Sequence, residues 1–225
     1  MVPNKANDYT VLGIQKIFEH INNFDYEEAF YLSSQIMEKQ DNGDTLFHEW
    51  VKSLVEFYSC NKKDTAIKLL EKIKPDVIEN EIHFRIVNSL MNFYREIKDK
   101  DNFMKYRKIL YLNLHKIKDK EFLVKVMYNI SNGFYTFRDY DRALEYAENS
   151  IEIAKNGNVF NIFFSLAFMI KIMCLFYLGR TLEAESLKEI FLDYLKVVGN
   201  VNHKDYLENA LEEFYNLKRR ELVKC

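Results

Sequence analysis

The sequence predicts an all-α protein built from stacked helical hairpins, on the basis of two observations. Only two prolines and six glycines occur in 225 residues, and so few helix breakers favour long, uninterrupted helices. A Phe-Tyr pair also recurs along the chain, at Phe57-Tyr58, Phe93-Tyr94, Phe134-Tyr135, Phe176-Tyr177 and Phe214-Tyr215. The near-constant spacing of the five pairs is typical of a repeat protein.

Each of the first four pairs lies late in an apolar segment of helical period and is followed by a short polar break. A second amphipathic segment begins after each break, so the pattern predicts a helix, a turn and a second helix packed back on the first. In chain order we expect eleven helices, near residues 9–22, 25–39, 45–59, 63–73, 79–97, 101–116, 120–137, 140–155, 159–178, 181–197 and 203–220. Residues 1–8 are expected to be disordered, and residues 9–220 to form a single domain that ends in an unpaired capping helix.

The hairpin over residues 128–151 is the best-formed copy. Its small residues are expected where the two helices approach closely, because larger side chains would separate them; they are Gly133, Ala143, Ala147 and Ser150. The copy that contains Phe93 has Asn102-Phe103 where alanine is expected. This departure predicts looser packing there, or a loop that is one residue longer.

The copy at 128–151 resembles the tetratricopeptide repeat. The likeness lies in a late aromatic pair in the first helix, an Asp139-Tyr140 turn, and Ala143-Leu144 at the opening of the second helix. It implies a right-handed superhelix of about five tetratricopeptide-like hairpins plus a C-terminal capping helix, with the first helix of each hairpin lining a concave groove.

Counting five residues back from the Phe of each pair gives the positions expected to face that groove: Lys52, Asn88, Asn129, Lys171 and Asn209. Asparagine donates and accepts hydrogen bonds at once, which suits it to holding an extended peptide backbone. Lys125 and Asn132 join Asn129 in the densest polar patch on this face. The alternative is a solvated face without a ligand, or asparagines that bond within the array.

The long irregular repeats, rich in Phe, Tyr, Ile, Asn and Lys, also resemble the sensor domains of Gram-positive peptide-pheromone receptors, the Rap/Rgg/NprR/PlcR/PrgX family. This resemblance implies a quorum-sensing regulatory domain that binds a short signalling peptide, with Asn88 and Asn129 on the peptide backbone. It also implies a homodimer and a conformational change relayed to a transcriptional or protein output. Most regulators of the group carry an N-terminal helix-turn-helix, whereas the first repeat here begins near residue 10. Direct nucleic-acid binding by this chain is therefore not expected.

Other classes of protein are disfavoured by composition and motifs. The formal net charge of −2 provides no basic footprint for nucleic acid. No apolar N-terminal segment or clean membrane span is visible, which favours a cytoplasmic location. No phosphate loop, metal-ligand spacing or nucleophile motif occurs, so we expect no enzyme, no cofactor and no metal.

Two alternatives remain open from the sequence. The chain could be a general scaffold that docks a folded partner protein instead of a short peptide. The last helix carries an apolar stripe that either caps the array or supports a homodimer: Leu207, Leu211, Phe214 and Leu217.

Overall fold

The computed structural model describes residues 5–39, 45–198 and 201–222, and describes side chains over 12–37, 45–197 and 205–216. Within these ranges the chain forms eleven α-helices and no strand, which confirms the predicted fold class. The helices are α1 Lys5–Asn22, α2 Tyr26–Lys39, α3 Thr45–Leu54, α4 Lys63–Ile73, α5 Glu81–Glu96, α6 Lys100–Asn113, α7 Lys120–Thr136, α8 Tyr140–Gly157, α9 Ile162–Tyr177, α10 Thr181–Val198 and α11 Val201–Leu222. A π-helical turn continues α3 over Val55–Ser59, and a 3₁₀ turn follows α6 over Leu114–Lys116.

The helices pack as two compact units, residues 1–113 and residues 114–225. The first unit holds α1 to α6 as three hairpins, and the second holds two further hairpins, α7 with α8 and α9 with α10, followed by α11. The single domain expected over 9–220 stays a prediction.

The five hairpin turns share one backbone device, a residue in the left-handed region. Its φ lies between 55° and 76° at each of Phe24, Asn61, Lys98, Arg138 and Gly179. In the third hairpin the N–H of the next residue, Asp99, donates to the carbonyl of Tyr94 at 2.9 Å. This bond satisfies a carbonyl that the end of the helix would otherwise leave unpaired. Three residues separate the two helices in all five hairpins, if the π turn is counted with α3.

The expectation of looser packing or a longer loop beside Phe103 was wrong. The turn there has the same length as the others, and Phe103 is fully buried, at 0% exposure. It lies five residues after the left-handed Lys98, the place at which the other four hairpins bury an alanine: Ala29, Ala66, Ala143 and Ala184. The third hairpin therefore accommodates an aromatic ring with the same turn geometry.

The close approach predicted for α7 and α8 is present. Gly133, Ala143, Ala147 and Ser150 are all buried. The Ser150 hydroxyl donates to the carbonyl of Val124 at 3.0 Å, which joins the two helices directly. A bond of this length between a side chain and the backbone of the facing helix requires small residues at the interface.

Four of the five Phe members of the pairs are buried, namely Phe57, Phe93, Phe134 and Phe214, while Phe176 is half-buried. The Phe57 ring stacks on the Phe93 ring with centroids 3.8 Å apart, and Phe134 stacks on Tyr146 at 5.5 Å. These contacts join α5 to the π turn in the first unit and α7 to α8 in the second. Buried aromatic pairs of this kind supply much of the packing in helical hairpins.

Both ends of the chain bear on the sequence predictions. α1 begins at Lys5, so residues 5–8, expected to be disordered, are helical, while residues 1–4 lie outside the described residues. No glycine or proline follows Pro3 before α1 is established, so nothing in the sequence delays its start. On α11, Leu207, Leu211 and Phe214 are buried, and the Phe214 ring lies 5.5 Å from that of Phe176. These three residues therefore cap the second unit, and the Leu217 side chain lies outside the described range.

Candidate functional site

One face of α5 carries an unusual row of polar side chains, three of which are buried. Glu81, Arg85, Asn88 and Asn92 are spaced by four, three and four residues, which places them on a single helical face. We call these four residues the polar face of α5. Arg85, Asn88 and Asn92 are only 6%, 4% and 8% exposed. Charged and amide side chains are seldom buried to this extent without a structural or functional reason.

Asn92 is the member of this face whose side chain has an unsatisfied hydrogen-bond acceptor. Its side-chain oxygen Oδ1 is buried and has no hydrogen-bond partner among the described residues. An unsatisfied buried acceptor of this kind costs about 1–3 kcal/mol. Such a group requires an explanation, and an acceptor held for a ligand donor is one.

Arg85 is held in place by neighbours on three helices. Its guanidinium lies 3.7 Å from the Phe18 ring centroid on α1 and 5.9 Å from the Trp50 ring on α3. Its Nε donates to Oε1 of Glu81 at 2.9 Å. The indole N–H of Trp50 in turn donates to Ser89 on α5 at 2.9 Å. The cation–π contacts and the ion pair fix the guanidinium within the first unit.

In the second unit, α7 carries the polar patch predicted from the sequence. Lys125, Asn129 and Asn132 are spaced by four and three residues, so they share one helical face. Asn129 is 5% exposed, and the Asn132 amide donates to the Tyr128 hydroxyl at 3.1 Å. The Lys125 ammonium lies 4.7 Å from the centroid of the Phe163 ring on α9.

Lys171 has a different orientation from the one expected. Its ammonium pairs with Glu148 on α8 at 2.8 Å. Three residues earlier on α9, the Phe168 ring stacks on Phe191 of α10 with centroids 5.5 Å apart. This side of α9 therefore faces the second helices of the hairpins, and we do not retain Lys171 in the candidate site.

The register of the Phe-Tyr pairs explains this difference. The left-handed turn residue lies five residues after Phe93, four after Phe134 and three after Phe176. A position counted back from the Phe therefore shifts by two residues, relative to the turn, between α5 and α9. At about 100° per residue, this drift turns the inferred position by about 200° around the helix.

The other two predicted positions are also separate from the polar faces. Lys52 lies one turn after His48, whose Nδ1 is 3.1 Å from the Ser33 hydroxyl on α2. Burial lowers the pKa of His48, and the charge of Lys52 lowers it further, against an opposing effect of Glu49. Asn209 is exposed on α11.

Sequence reasoning missed Arg85 and Asn92. A signal was present, because Glu81, Arg85, Asn88 and Asn92 recur at three- and four-residue intervals among mainly apolar residues. Arg95 follows Asn92 by three residues and pairs with Glu96. It is not one of the four residues that define the polar face of α5.

The described ranges hold neither a metal site nor a membrane span. No group of three or more His, Cys, Asp or Glu residues there could hold a metal ion. None of the described helices combines the length and the apolar character that a membrane span requires.

Comparison with known proteins supplies a family and a fold. The model of the RNPP family C-terminal domain matches residues 12–174. A search of curated protein sequences finds no significant match.

Three solved structures show the same type of fold. Apo PlcR of Bacillus thuringiensis superposes with a TM-score of 0.75 at 18% identity, covering 91% of this chain and 79% of that chain. PlcR of the same organism, in complex with the peptide PapR7 and DNA, gives 0.65 at 20% identity, covering 92% and 76%. The TPR-like repeats of a putative kinesin light chain from Podosopora anserina give 0.57 at 12% identity, covering 84% and 95%.

Proposed function

Because this chain belongs to the RNPP family C-terminal domain, as its sequence resemblance predicts, we propose that it is a regulatory domain that binds a short signalling peptide. The solved complex of PlcR with the peptide PapR7 supports a peptide as the ligand class. The observation that carries the proposal for this chain is the polar face of α5, where Asn88 and Asn92 are more than nine-tenths buried.

Buried asparagines suit a peptide ligand for a chemical reason. The backbone of an extended peptide presents one donor and one acceptor per residue, and an asparagine amide can bond both at once. Burial excludes competing water, so each such bond is stronger than it would be at an exposed surface. The polar face of α5 in the first unit and the α7 patch in the second each offer this chemistry.

The repeat architecture supports a proposal for the output of binding. Hairpins that contact only their neighbours respond to a ligand through small changes in packing, which add along the stack. We propose that peptide binding shifts the packing of the hairpins and that this shift is relayed to a transcriptional or protein partner. The role is binding rather than catalysis. A cytoplasmic location and a homodimer belong to the same proposal, and direct contact with nucleic acid does not.

Thermal unfolding in the presence of synthetic heptapeptides tests the proposal. A peptide at 100 times its dissociation constant should stabilise the fold by about 2.7 kcal/mol, which appears as a higher melting temperature. Asn88→Ala and Asn129→Ala, measured separately, determine whether α5 or α7 supplies the contact. Each lost hydrogen bond should weaken binding by roughly 10-fold.

Lys171→Ala is the matched control, because Lys171 pairs with Glu148 on α8 and should leave peptide affinity unchanged. If no peptide stabilises the protein while a folded protein partner forms a stable complex with it, the proposal fails and the scaffold function replaces it.

A further inference from the structure

A cleft in the first unit lies beside the polar face of α5. It has a volume of about 320 Å³, and every lining residue belongs to α1, α3, α5 or the N-cap of α5: Ile14, Phe18, Phe47, Asn80, Glu81, Ile82 and Arg85. Four of these side chains are apolar, and the polar ones gather at the start of α5. Apolar walls with a few fixed polar groups are typical of small-ligand sites.

The cleft places a buried guanidinium directly beside aromatic walls. The Arg85 side chain is 7% exposed, and its position against Phe18 is fixed by the contact at 3.7 Å. A planar guanidinium presents parallel N–H groups that match the two oxygens of a carboxylate. Because Arg85 is already held in place, little rotamer freedom is lost when it binds an anion.

Among the described residues, Glu81 is a carboxylate partner of Arg85. The Glu81 side chain is 54% exposed, in contrast to the buried guanidinium. It lies in the first turn of α5, where the helix dipole stabilises its charge even when it faces water. Glu81 can therefore release Arg85 to another carboxylate at small cost.

The chemistry of the ligand follows from the closeness of the Arg85 guanidinium to the apolar walls of the cleft. The cleft is the size of about ten water molecules, and its apolar walls begin at the guanidinium itself. A ligand that uses both must carry an apolar group within a few bonds of a carboxylate. The C-terminal residue of a peptide has this arrangement when its side chain is apolar, whereas the side chains of aspartate and glutamate offer only one or two methylene groups beside their carboxylate.

The geometry therefore points to a cleft that binds the C-terminal residue of the peptide. Its apolar side chain packs against Phe18 and Phe47, and its α-carboxylate takes the place of Glu81 on Arg85. This inference rests on the proposed function and adds the direction and end-group chemistry of the ligand.

The test compares heptapeptide pools that end in Leu or Phe, each made as the free acid and as the C-terminal amide. Binding to the full chain is measured by fluorescence polarisation. The free acids should bind at least about 10-fold more tightly than the amides, since a hydrogen-bonded charge pair is lost in the amide. In Arg85→Gln this ratio should fall to about one.

Two further variants separate ligand binding from folding. Glu81→Gln removes the internal competitor, so it should raise the affinity for free acids and leave that for amides unchanged. Arg95→Gln is the matched control, because Arg95 lies on the same helix, pairs with Glu96 and does not line the cleft; it should keep the wild-type ratio.

Each result has a distinct meaning. Equal binding of acids and amides to the wild-type protein would overturn the C-terminal cleft and leave peptide binding intact. A lower affinity for free acids in Glu81→Gln would also overturn it. If neither pool binds in either form, both the cleft and the proposed function fail.

Discussion

α5 and α9 are both first helices of sixteen residues that begin at an asparagine N-cap, yet they bury opposite chemistries. The sequences of the two helices can be aligned on the left-handed turn residue that follows each of them, which is Lys98 after α5 and Gly179 after α9. Arg85, Asn88 and Asn92 then correspond to Leu166, Met169 and Met173, which are 5%, 9% and 8% exposed. The burial is nearly the same, while the side chains are polar in one helix and apolar in the other.

The comparison of α5 with α9 shows that apolar and polar side chains at buried positions have opposite effects on stability. An apolar side chain at such a position stabilises the fold by removing its surface from water. A polar side chain there costs free energy unless it is fully hydrogen-bonded. α9 therefore contributes mainly to stability, whereas α5 buries one side-chain oxygen, Oδ1 of Asn92, that has no hydrogen-bond partner among the described residues.

The largest expected effect concerns the apolar packing that both helices share. Ile172→Ala on α9 and Leu90→Ala on α5 each truncate a side chain that is 0% exposed. Each should lower the free energy of unfolding by about 2–5 kcal/mol, measured by urea denaturation. Peptide affinity should stay within a few-fold of wild type. A loss well below this range in Ile172→Ala alone would show that α9 is not the stability element inferred here.

An exchange of chemistry between the two helices should have a smaller effect. Asn92→Leu removes the unpartnered oxygen and should stabilise the protein by about 1–3 kcal/mol, while it weakens peptide binding. The reciprocal change, Met173→Asn, should destabilise it by a similar amount. Urea midpoints measure both changes. Stabilisation by Asn92→Leu without any loss of peptide affinity would contradict a ligand role for Asn92.

The smallest effect concerns α3, whose His48 is a titratable group of intermediate burial. Burial is the main reason that its pKa is held below the ordinary value of 6.5. Between the lowered folded pKa and 6.5 the unfolded state binds more protons, so stability is complete above pH 6.5 and falls as the pH drops below it. The urea midpoint should decline less between pH 7 and 5.5 in His48→Gln. Parallel declines in both proteins would assign the loss to other groups.

Most of the fold follows from local sequence. The rarity of Gly and Pro and the recurring aromatic pairs predict eleven helices, and the observed ends differ from the predicted ones by a few residues. Asn88 and the Lys125, Asn129, Asn132 patch lie on buried or half-buried helical faces, and their predicted position in a groove is untested by this burial. Their role in binding stays a prediction.

The orientation of the site residues is harder to predict, because counting from the Phe of each pair does not give a constant position on the helix. The Phe of each pair is held by contacts that differ between hairpins, since Phe93 packs on Phe57 whereas Phe176 packs against Phe214. Its distance from the turn therefore drifts, and at the position counted back from Phe176 the Lys171 ammonium pairs with Glu148 on α8. The turn residue keeps a fixed distance to the buried residue of the second helix, but four of the five have no glycine to reveal them in the sequence.

The five three-residue turns have a consequence for how such a domain can change over time. Each hairpin enters and leaves its turn with the same backbone geometry, whether it buries Ala143 or the much larger Phe103 behind it. A large change of side-chain size at this position of the second helix is therefore compatible with an unchanged turn. In a lineage of such domains, the residue packed behind a turn can therefore change in size while the length and backbone geometry of the connection stay the same.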